Sequence, residues 1–433
     1  MRVMIMIILL LFINDPPVQA DSITKCDFAS LQTAIQTANT TSGGIISFDC
    51  EGTITFTEGL VIQQTIIIRG DGKIIIDGER ANRLFRVAEG ASLTLDNITL
   101  QNGVSPSGGA IFNQGYLTII NSTLTNNYAL SFGGAIFNEG DGVSIINSTF
   151  SNNQATTDGG AIYNEAILNI SDSTFSENSA QNGGAISGHR DFLITIHQST
   201  FTDNQARVSG GAIYADIVTP ISISSSTFTG NSATEYGGAI YNQSIMTIGG
   251  CSFLENSAVM GGAIYAAGTT MINGGIFEQN SASTYGGAIY NSLSLFINHG
   301  DFRDNTATGF GGGIINRGNL TLQDTAFYRN SASAGGAVFN EDVLTSNNTR
   351  FYDNVAADDG GGLYNVSERI VVLNENRFED NSATNEGGGI YNLGVMYSRM
   401  TVFEDNTCAG NIVFGIGGNT SERAEGCIGI VPQ

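Results

Sequence analysis

The chain of 433 residues contains three histidines, and His189 stands out because it lies where a repeated pattern is interrupted. The segment Gly188-His189-Arg190-Asp191 replaces an asparagine-containing turn that recurs elsewhere. A catalytic acid or base in a repetitive chain is expected at such a break, among unusual polar residues. A variant loop without chemistry explains the same residues, and we favour it. His197 and His299 lie at predicted outward or turn positions, and no histidine–cysteine spacing resembles a zinc site.

Carboxylates are the second group that could do chemistry, and many of them follow a phenylalanine by two positions. The members of this acidic column are Glu177, Asp203, Glu255, Asp304, Asp353, Asp380 and Asp405. Glycoside hydrolysis needs a carboxylate pair at a defined separation, and lyase chemistry needs a base beside a cationic clamp. The regular spacing shows neither, so we predict no catalytic residues, no metal site and no cofactor. A solvated turn explains the column best, with weak Ca²⁺ binding as the alternative.

A column of aromatic residues suits binding better than catalysis. Its members are Phe112, Phe137, Tyr163, Tyr214, Tyr241, Tyr265, Tyr290, Phe339, Tyr364 and Tyr391. Each follows an aliphatic residue that we place inside, and successive side chains of a strand point to opposite faces, so the rings are predicted to project outward. Rings on a rigid face suit sugars or protein partners. We therefore predict ligand binding at Tyr163, Tyr214, Tyr241, Tyr265 and Tyr290, with mutual packing of the rings as the alternative.

The elements that position these residues come from a repeat. The string Gly-Gly-Ala-Ile, with degenerate later copies, starts at Gly108, Gly133, Gly159, Gly183, Gly210, Gly237, Gly261, Gly286, Gly311, Gly335, Gly360 and Gly387. The intervals are 24 to 27 residues, and each contains a short alternating run followed by Phe-x-x-Asn. A repeat of 24 to 27 residues has room for three short strands and the loops between them, which together form one coil of a three-sided solenoid. Helical repeats need longer units with a period of 3.6 residues, which is absent.

The predicted fold is all-β: a right-handed, single-stranded parallel β-helix, the pectin-lyase-like solenoid, with about twelve repeat coils and a few earlier ones. Parallel ladders stack the coils about 4.8 Å apart, and the crossover rule sets the hand. The fourth residue of each glycine string, the phenylalanine and an alanine five residues later are predicted to lie inside. The asparagines are predicted to stack at a turn. The glycine pair suits a corner with positive φ or close backbone approach.

The ends of the chain divide it into further predicted segments. Residues 1–20 have the charged, apolar and small-residue regions of a signal peptide. Residues 21–52 form an N-terminal cap, with a short amphipathic helix over 27–40 that Asp27 or Ser30 caps. The β-helix covers 53–406, and residues 407–433 form a C-terminal cap.

Charge and cysteine content limit the partners and the compartment. The net charge is −23 with 17 basic residues, which speaks against nucleic acid and anionic lipid. After the leader, no apolar run approaches the roughly 20 residues of a membrane helix. In an oxidising compartment we expect one disulfide at each end, Cys26 with Cys50 and Cys408 with Cys427. Cys251 is predicted to be a buried, inert thiol.

The alternation of Gly-Gly-Ala-Ile with Phe-x-x-Asn over residues 108–406 resembles the repeat signature of the chlamydial polymorphic outer membrane proteins. The passenger regions of that family are parallel β-helices that are regarded as surface adhesins and virulence factors. The resemblance implies export and an extracellular or cell-surface position, with association with the outer membrane as one form of it. Family members typically carry a C-terminal β-barrel, and no series of membrane strands follows the repeats here, so self-anchoring is not carried over.

Together these observations lead to one functional expectation and one alternative. We expect a secreted or cell-surface, non-catalytic, adhesin-like protein that works as a monomer and binds an unidentified extracellular glycan or protein. The alternative is a polysaccharide lyase or glycoside hydrolase, because the same solenoid carries such enzymes and a fold does not determine an activity.

Overall fold

The solenoid predicted from the repeat is present. The computed structural model describes residues 22–409 and the backbone of two strands, Ala424–Gly426 and Ile428–Ile430, so the predicted signal peptide lies outside the described residues. The chain forms a right-handed parallel β-solenoid of about 15 turns with one short helix. The twelve glycine-pair coils account for most of them, and the ladders extend into both predicted caps.

One coil shows how the repeat is folded. An aromatic strand, Ile213–Ala215, follows the glycine pair. An aliphatic strand, Ile221–Ser224, and a Phe strand, Thr227–Thr229, come next and share one sheet. A two-residue Ala strand, Ser232–Ala233, leads back to the next glycine pair. These four strand names are used below for all coils.

The helix spans Phe28–Thr40, and the strands stack in parallel columns. The aromatic strands are Leu60–Ile62, Phe85–Val87, Ile111–Asn113, Ile136–Asn138, Ile162–Asn164, Ile186–Gly188, Ile213–Ala215, Ile240–Asn242, Ile264–Ala266, Ile289–Asn291, Ile314–Asn316, Val338–Asn340, Leu363–Asn365, Ile390–Asn392 and Ile428–Ile430. The aliphatic strands are Gly44–Ile46, Thr65–Arg69, Ser92–Asp96, Tyr116–Ile120, Gly142–Ile146, Ile167–Ser171, Ile194–His197, Ile221–Ser224, Asn319–Gln323, Leu344–Asn347, Val371–Asn374 and Met396–Arg399.

Three strands run through an aliphatic and a Phe position without a break: Ile245–Leu254, Thr269–Glu278 and Ser294–Arg303. The separate Phe strands are Gly52–Thr55, Ile74–Asp77, Thr99–Gln101, Thr123–Thr125, Thr149–Ser151, Thr174–Ser176, Thr200–Thr202, Thr227–Thr229, Ala326–Tyr328, Arg350–Tyr352 and Arg377–Glu379, followed by the longer Val402–Cys408. The Ala strands are Val104–Ser107, Tyr128–Phe132, Gln154–Ala155, Ser179–Asn182, Gln205–Ser209, Ser232–Ala233, Ser257–Met260, Ser281–Tyr285, Thr306–Ala307, Ser331–Ala332, Val355–Ala356 and Ser382–Ala383.

The interior contains the columns that the repeat predicts. Ile240 pairs in register with Ile213 and Ile264, and all three side chains are buried. The phenylalanines form a continuous stack, in which the ring of Phe253 lies 4.9 Å from the rings before and after it. The alanines are buried too, but they pack in small separate clusters beside the main core. The distance between successive coils matches the distance between stacked rings, so every coil can bury a phenylalanine in the same orientation.

The asparagines of Phe-x-x-Asn form a buried hydrogen-bonded ladder, which confirms their predicted stacking. The Oδ1 atom of Asn231 accepts from the backbone N–H and the side-chain amide of Asn204, at 3.1 and 2.9 Å. The amide of Asn231 donates to Asn256 and also to the carbonyl of Phe201, at 3.0 and 2.9 Å. Each asparagine thus satisfies a backbone N–H of the turn in the preceding coil and also bonds to a strand carbonyl of that coil.

The two glycines of each pair are needed for different reasons. Gly237 has a φ of 62°, in the left-handed region that favours glycine. A Cβ on Gly238 would lie 2.0 Å from the carbonyl oxygen of Gly262 on the next coil. The sequence analysis offered positive φ and close backbone approach as alternative reasons for the glycine pair. Both apply, one to each glycine.

The helix covers the N-terminal end of the solenoid. Asp27 is its N-cap, and its Oδ1 atom accepts from the backbone N–H of Ser30 at 2.8 Å. The helix buries Leu31, Ile35 and Ala38 against the first coils. Because the unpaired end of a parallel ladder would otherwise be exposed, the helix serves as the predicted cap.

The cysteines occupy both ends and the core. Cys26 and Cys50 form a disulfide with a Cα–Cα distance of 5.7 Å. Cys408 is also disulfide-bonded, and its predicted partner Cys427 lies outside the described residues. Within residues 22–409, no helix is long and apolar enough to cross a membrane.

Burial should make Cys251 unreactive in the native protein. Its side chain is buried in the core, and burial raises the pKa of the thiol, so little thiolate is present. We expect it to react with a thiol reagent only after denaturation, followed by the colour yield with and without guanidinium. Rapid labelling of the native protein would place Cys251 on the surface instead.

Candidate functional site

The predicted aromatic stripe lies outside the main core, but the rings cover one another. The ring of Tyr241 stacks 5.3 Å from that of Tyr214 and 5.2 Å from that of Tyr265. Tyr265 and Tyr290 stack at 4.5 Å. The prediction that all five tyrosines project to solvent is wrong for Tyr163 and Tyr290, which are 8% and 5% exposed. The spacing between coils equals the distance at which aromatic rings stack, so neighbouring rings cover the faces of each ring and a ligand cannot reach them.

A second aromatic layer, which the sequence reasoning missed, packs over the first. It comes from aromatic residues that stand just before some of the glycine pairs: the ring of Tyr236 lies 6.0 Å from that of Tyr241 and 5.0 Å from that of Tyr265. Farther along, the two layers form a cluster of Met260, Tyr265, Tyr285, Tyr290, Phe310, Ile315, Ala334, Phe339, Tyr364 and Val366. The large residues that precede some glycine pairs in the sequence were the signal that could have predicted this second layer.

This packing predicts a cost for a substitution that the sequence alone would treat as harmless. Tyr241→Ser removes a ring that contacts three others, so we expect a loss of about 1–3 kcal/mol in the free energy of unfolding. Tyr241→Phe keeps the stack and should change stability little, as Phe137 does at the same position of its own coil. Denaturant unfolding of both variants checks this, and equal stabilities would show that the ring stack contributes nothing.

The tyrosines also predict an alkaline transition. Burial raises the pKa of Tyr214 and of Tyr364 to about 12, from an ordinary value of 10.0. The pKa of these hydroxyls is higher in the folded than in the unfolded chain, so their protonated form favours the folded state. This contribution to the free energy of unfolding is complete below pH 10 and is lost as the pH rises toward 12. A spectroscopic titration should show late-ionising tyrosines and loss of stability over this interval. Ionisation of every tyrosine near pH 10 in the folded protein would contradict it.

His189 fills a gap in the aromatic column. Ser187 occupies the column position on its coil, and the imidazole of His189 takes the place of the missing ring, 4.6 Å from the ring of Tyr163 and 5.9 Å from that of Tyr214. The Nε2 atom of His189 lies 2.9 Å from the Oγ atom of Ser187. Its Nδ1 atom lies 3.4 Å from a carboxylate oxygen of Asp216.

These three residues have the connectivity of a serine–histidine–aspartate triad but not its access. A nucleophilic serine must reach an external carbonyl carbon, with free N–H groups nearby to stabilise the oxyanion. Ser187 is 0% exposed, and the backbone N–H of His189 is bonded to the carbonyl of Asn164. The contacts of Ser187 and Asp216 therefore orient the imidazole within the stack.

The same break contains two adjacent turns that are longer than their neighbours. Three residues lie between the last residue of the aromatic strand and the first buried aliphatic residue in 164–168, but five lie between them in 188–194 and in 215–221. The added residues include four exposed apolar side chains, with Ile217 at 75%. We call this group the apolar promontory: Phe192, Leu193, Ile217 and Val218.

Polar contacts at the base hold both turns. One carboxylate oxygen of Asp216 accepts from the backbone N–H groups of Val218 and Thr219, both at 3.1 Å. The hydroxyl of Thr219 lies 2.9 Å from the carbonyl of Arg190 on the other turn. Arg190 forms an ion pair with Glu165 on the preceding coil, at 2.6 Å. The promontory is therefore braced by contacts between the two turns and with the preceding coil.

The acidic column has a backbone role. All seven of its members have positive φ, including Asp304 at 53°, which aspartate tolerates better than most residues. Arg329 pairs with Asp304 at 2.8 Å and offsets repulsion along the column. Among the described residues, no group of three or more His, Cys, Asp or Glu is placed to hold a metal ion.

Comparisons with known proteins agree with this geometry. The sequence pattern of right-handed β-helix regions matches residues 85–253. The Chlamydia polymorphic membrane protein repeat matches three segments: 250–267, 274–292 and 377–393. No curated protein matches the chain. Repeats of this type suggest a surface or outer membrane protein. The chain is thus a right-handed β-helix protein that carries repeats of the Chlamydia polymorphic membrane protein type.

Proposed function

We propose that the protein is a non-catalytic, adhesin-like binding protein of the cell surface or the extracellular space, and that it holds a protein ligand on the apolar promontory. The observation that carries this proposal is the exposure of four large apolar side chains on two adjacent braced turns. Exposed apolar groups gathered in one place are typical of interaction sites. The surface character suggested by the repeats supports the location.

A protein suits the promontory better than a glycan. The side chains of Phe192, Leu193, Ile217 and Val218 offer no hydrogen bond, whereas sugar hydroxyls must be hydrogen-bonded when they are buried. Ile167 and Ile245, exposed on the coils before and after, extend the apolar surface along the solenoid. Arg190 and Asp191 give it a charged rim, as is usual at protein interfaces. The regular scaffold fixes these groups relative to one another.

The test uses purified wild-type protein on an array of extracellular-matrix and cell-surface proteins. The double variant Phe192→Asp/Ile217→Asp should lose the protein signals of the wild type while keeping its melting temperature, because both side chains are exposed. The matched control is Ile370→Asp, which changes an exposed isoleucine in a third long turn, residues 365–371. An array without protein signals, or signals that survive the double variant, would refute the proposal.

Two other outcomes would replace it. If sedimentation shows a wild-type dimer that the double variant converts to monomer, the promontory binds a second copy of the chain. If pectin, alginate or glycosaminoglycans incubated with the protein yield unsaturated products or new reducing ends, the protein is a carbohydrate-active enzyme. We do not expect carbohydrate cleavage, because Ser187 is inaccessible and the acidic column is regularly spaced.

A further inference from the structure

A different face of the solenoid changes character toward its C-terminal end. On five successive Phe strands, the outward residues on either side of the buried residue are all threonine or serine: Thr123, Thr125, Thr149, Ser151, Thr174, Ser176, Thr200, Thr202, Thr227 and Thr229. Farther along, arginine occupies the first column at Arg350 and Arg377. Tyrosine occupies the second column at Tyr328 and Tyr352, followed by Glu379.

These substitutions line a shallow depression. Its volume is about 330 Å³, at the lower end of the roughly 300–1,000 Å³ typical of small-ligand sites. Its lining consists of Tyr328, Arg350, Phe351, Tyr352, Arg377 and Glu379. The two tyrosine rings lie on adjacent coils with centroids 6.1 Å apart and an interplanar angle of 58°. The rings are therefore not stacked face to face, unlike those of the aromatic column.

The two arginines of the depression differ in their partners. The guanidinium of Arg377 is bonded to Glu379 at 2.7 Å and to Glu404 at 2.6 Å. The guanidinium of Arg350 has no hydrogen bond or ion pair with any residue in the described part of the chain. The charge of Arg377 is balanced by its two carboxylates, so Arg350 is the arginine of the depression whose guanidinium is free to bind an anion. Arg350 is exposed, so its guanidinium can contact a ligand that enters from solvent.

We propose that this depression is a second binding site, separate from the promontory, for a sugar ring that carries a carboxylate or a sulfate. The Arg350 guanidinium matches the planar geometry of either anion and can donate two parallel hydrogen bonds. Tyr328 and Tyr352 offer aromatic surface to the C–H groups of the ring. The Arg377–Glu379 pair supplies a donor and an acceptor for sugar hydroxyls.

The charges around the depression limit the ligand further. The Asp380 carboxylate is close enough to Tyr352 to raise the pKa of its hydroxyl. A second anion on that side would be repelled, so the anionic group must lie toward Arg350. The site therefore suits one acidic sugar flanked by neutral ones and does not suit an uninterrupted run of charges.

The experiment is calorimetric titration of the full chain with three tetrasaccharides: hyaluronan, with a carboxylate on alternate sugars, chondroitin sulfate, which adds sulfate, and neutral chitotetraose. We expect hyaluronan to bind more tightly than chondroitin sulfate, which carries a charge on every ring, and we expect no binding of chitotetraose. Arg350→Gln should weaken acidic binding roughly tenfold or more, the factor for one charge-assisted contact. Arg350→Lys should recover part of it, because the charge remains but the planar fork is lost.

Controls separate this site from general effects and from the promontory. Arg369→Gln removes an exposed arginine outside the depression that pairs with Asp342, and it should leave the affinity unchanged. Phe192→Asp/Ile217→Asp should also leave it unchanged. Tyr352→Phe should bind better than Tyr352→Ser if the ring contributes. Equal binding of chitotetraose, no binding of either acidic probe, or an Arg350→Gln variant with wild-type affinity would each overturn the proposal.

Discussion

Replacing Ile240 by aspartate is expected to prevent the protein from folding. Ile240 is fully buried and sits between the isoleucines of the coils before and after it. No described cation faces this position, so the carboxylate would have to be buried without a partner or protonated. The cost of several kcal/mol is comparable with the roughly 5–15 kcal/mol that separates a folded from an unfolded domain. Circular dichroism and size-exclusion chromatography should show an unfolded or aggregated chain.

The control is the same change at an exposed isoleucine five residues later. Ile245 begins the next strand, and its side chain points to solvent. Ile245→Asp should therefore express, fold and melt much as the wild type does. A folded Ile240→Asp protein, or an unfolded Ile245→Asp protein, would show that the inward and outward faces of these strands have been exchanged.

Asn231→Ala is expected to have the second largest effect. The substitution takes the Oδ1 acceptor from two donors of Asn204 and takes a donor from the carbonyl of Phe201 and from Asn256. Each buried group left unsatisfied costs about 1–3 kcal/mol, and several are left together. We expect a loss of roughly 3–5 kcal/mol, seen as a lower denaturant midpoint.

An exposed asparagine provides the comparison. Asn169 lies on the outward face of an aliphatic strand, so Asn169→Ala should change stability by less than about 0.5 kcal/mol. Hydrogen exchange offers a second readout, because loss of the ladder should increase exchange at the backbone amide of Asn204 and on neighbouring coils. Equal effects of the two substitutions would mean that the buried ladder is energetically unimportant.

The fold could be predicted from the sequence because every coil must satisfy the same constraints. A residue that faces the interior in one coil faces it in the next, so the isoleucine and phenylalanine columns appear as periodic signals. The asparagine ladder and the glycine corner are local requirements of one turn, repeated with it. The cap helix is likewise visible in the spacing of Leu31, Ile35 and Ala38, together with the N-cap Asp27.

The candidate sites depended on contacts between coils that the repeat does not encode. The sequence identified the break at His189, but only the folded chain shows that its imidazole replaces a ring and that Asp216, 27 residues later, braces it. It also placed Tyr163 and Tyr290 outside the main core without showing that neighbouring side chains cover them.

The alternation of side chains along a strand thus determines whether a residue faces the interior or the exterior of the solenoid, and this alternation can be read from the sequence. Exposure on the outer side depends on side chains contributed by other coils and turns. For the same reason, the exposure of the promontory and the free guanidinium of Arg350 were decided by the tertiary structure alone.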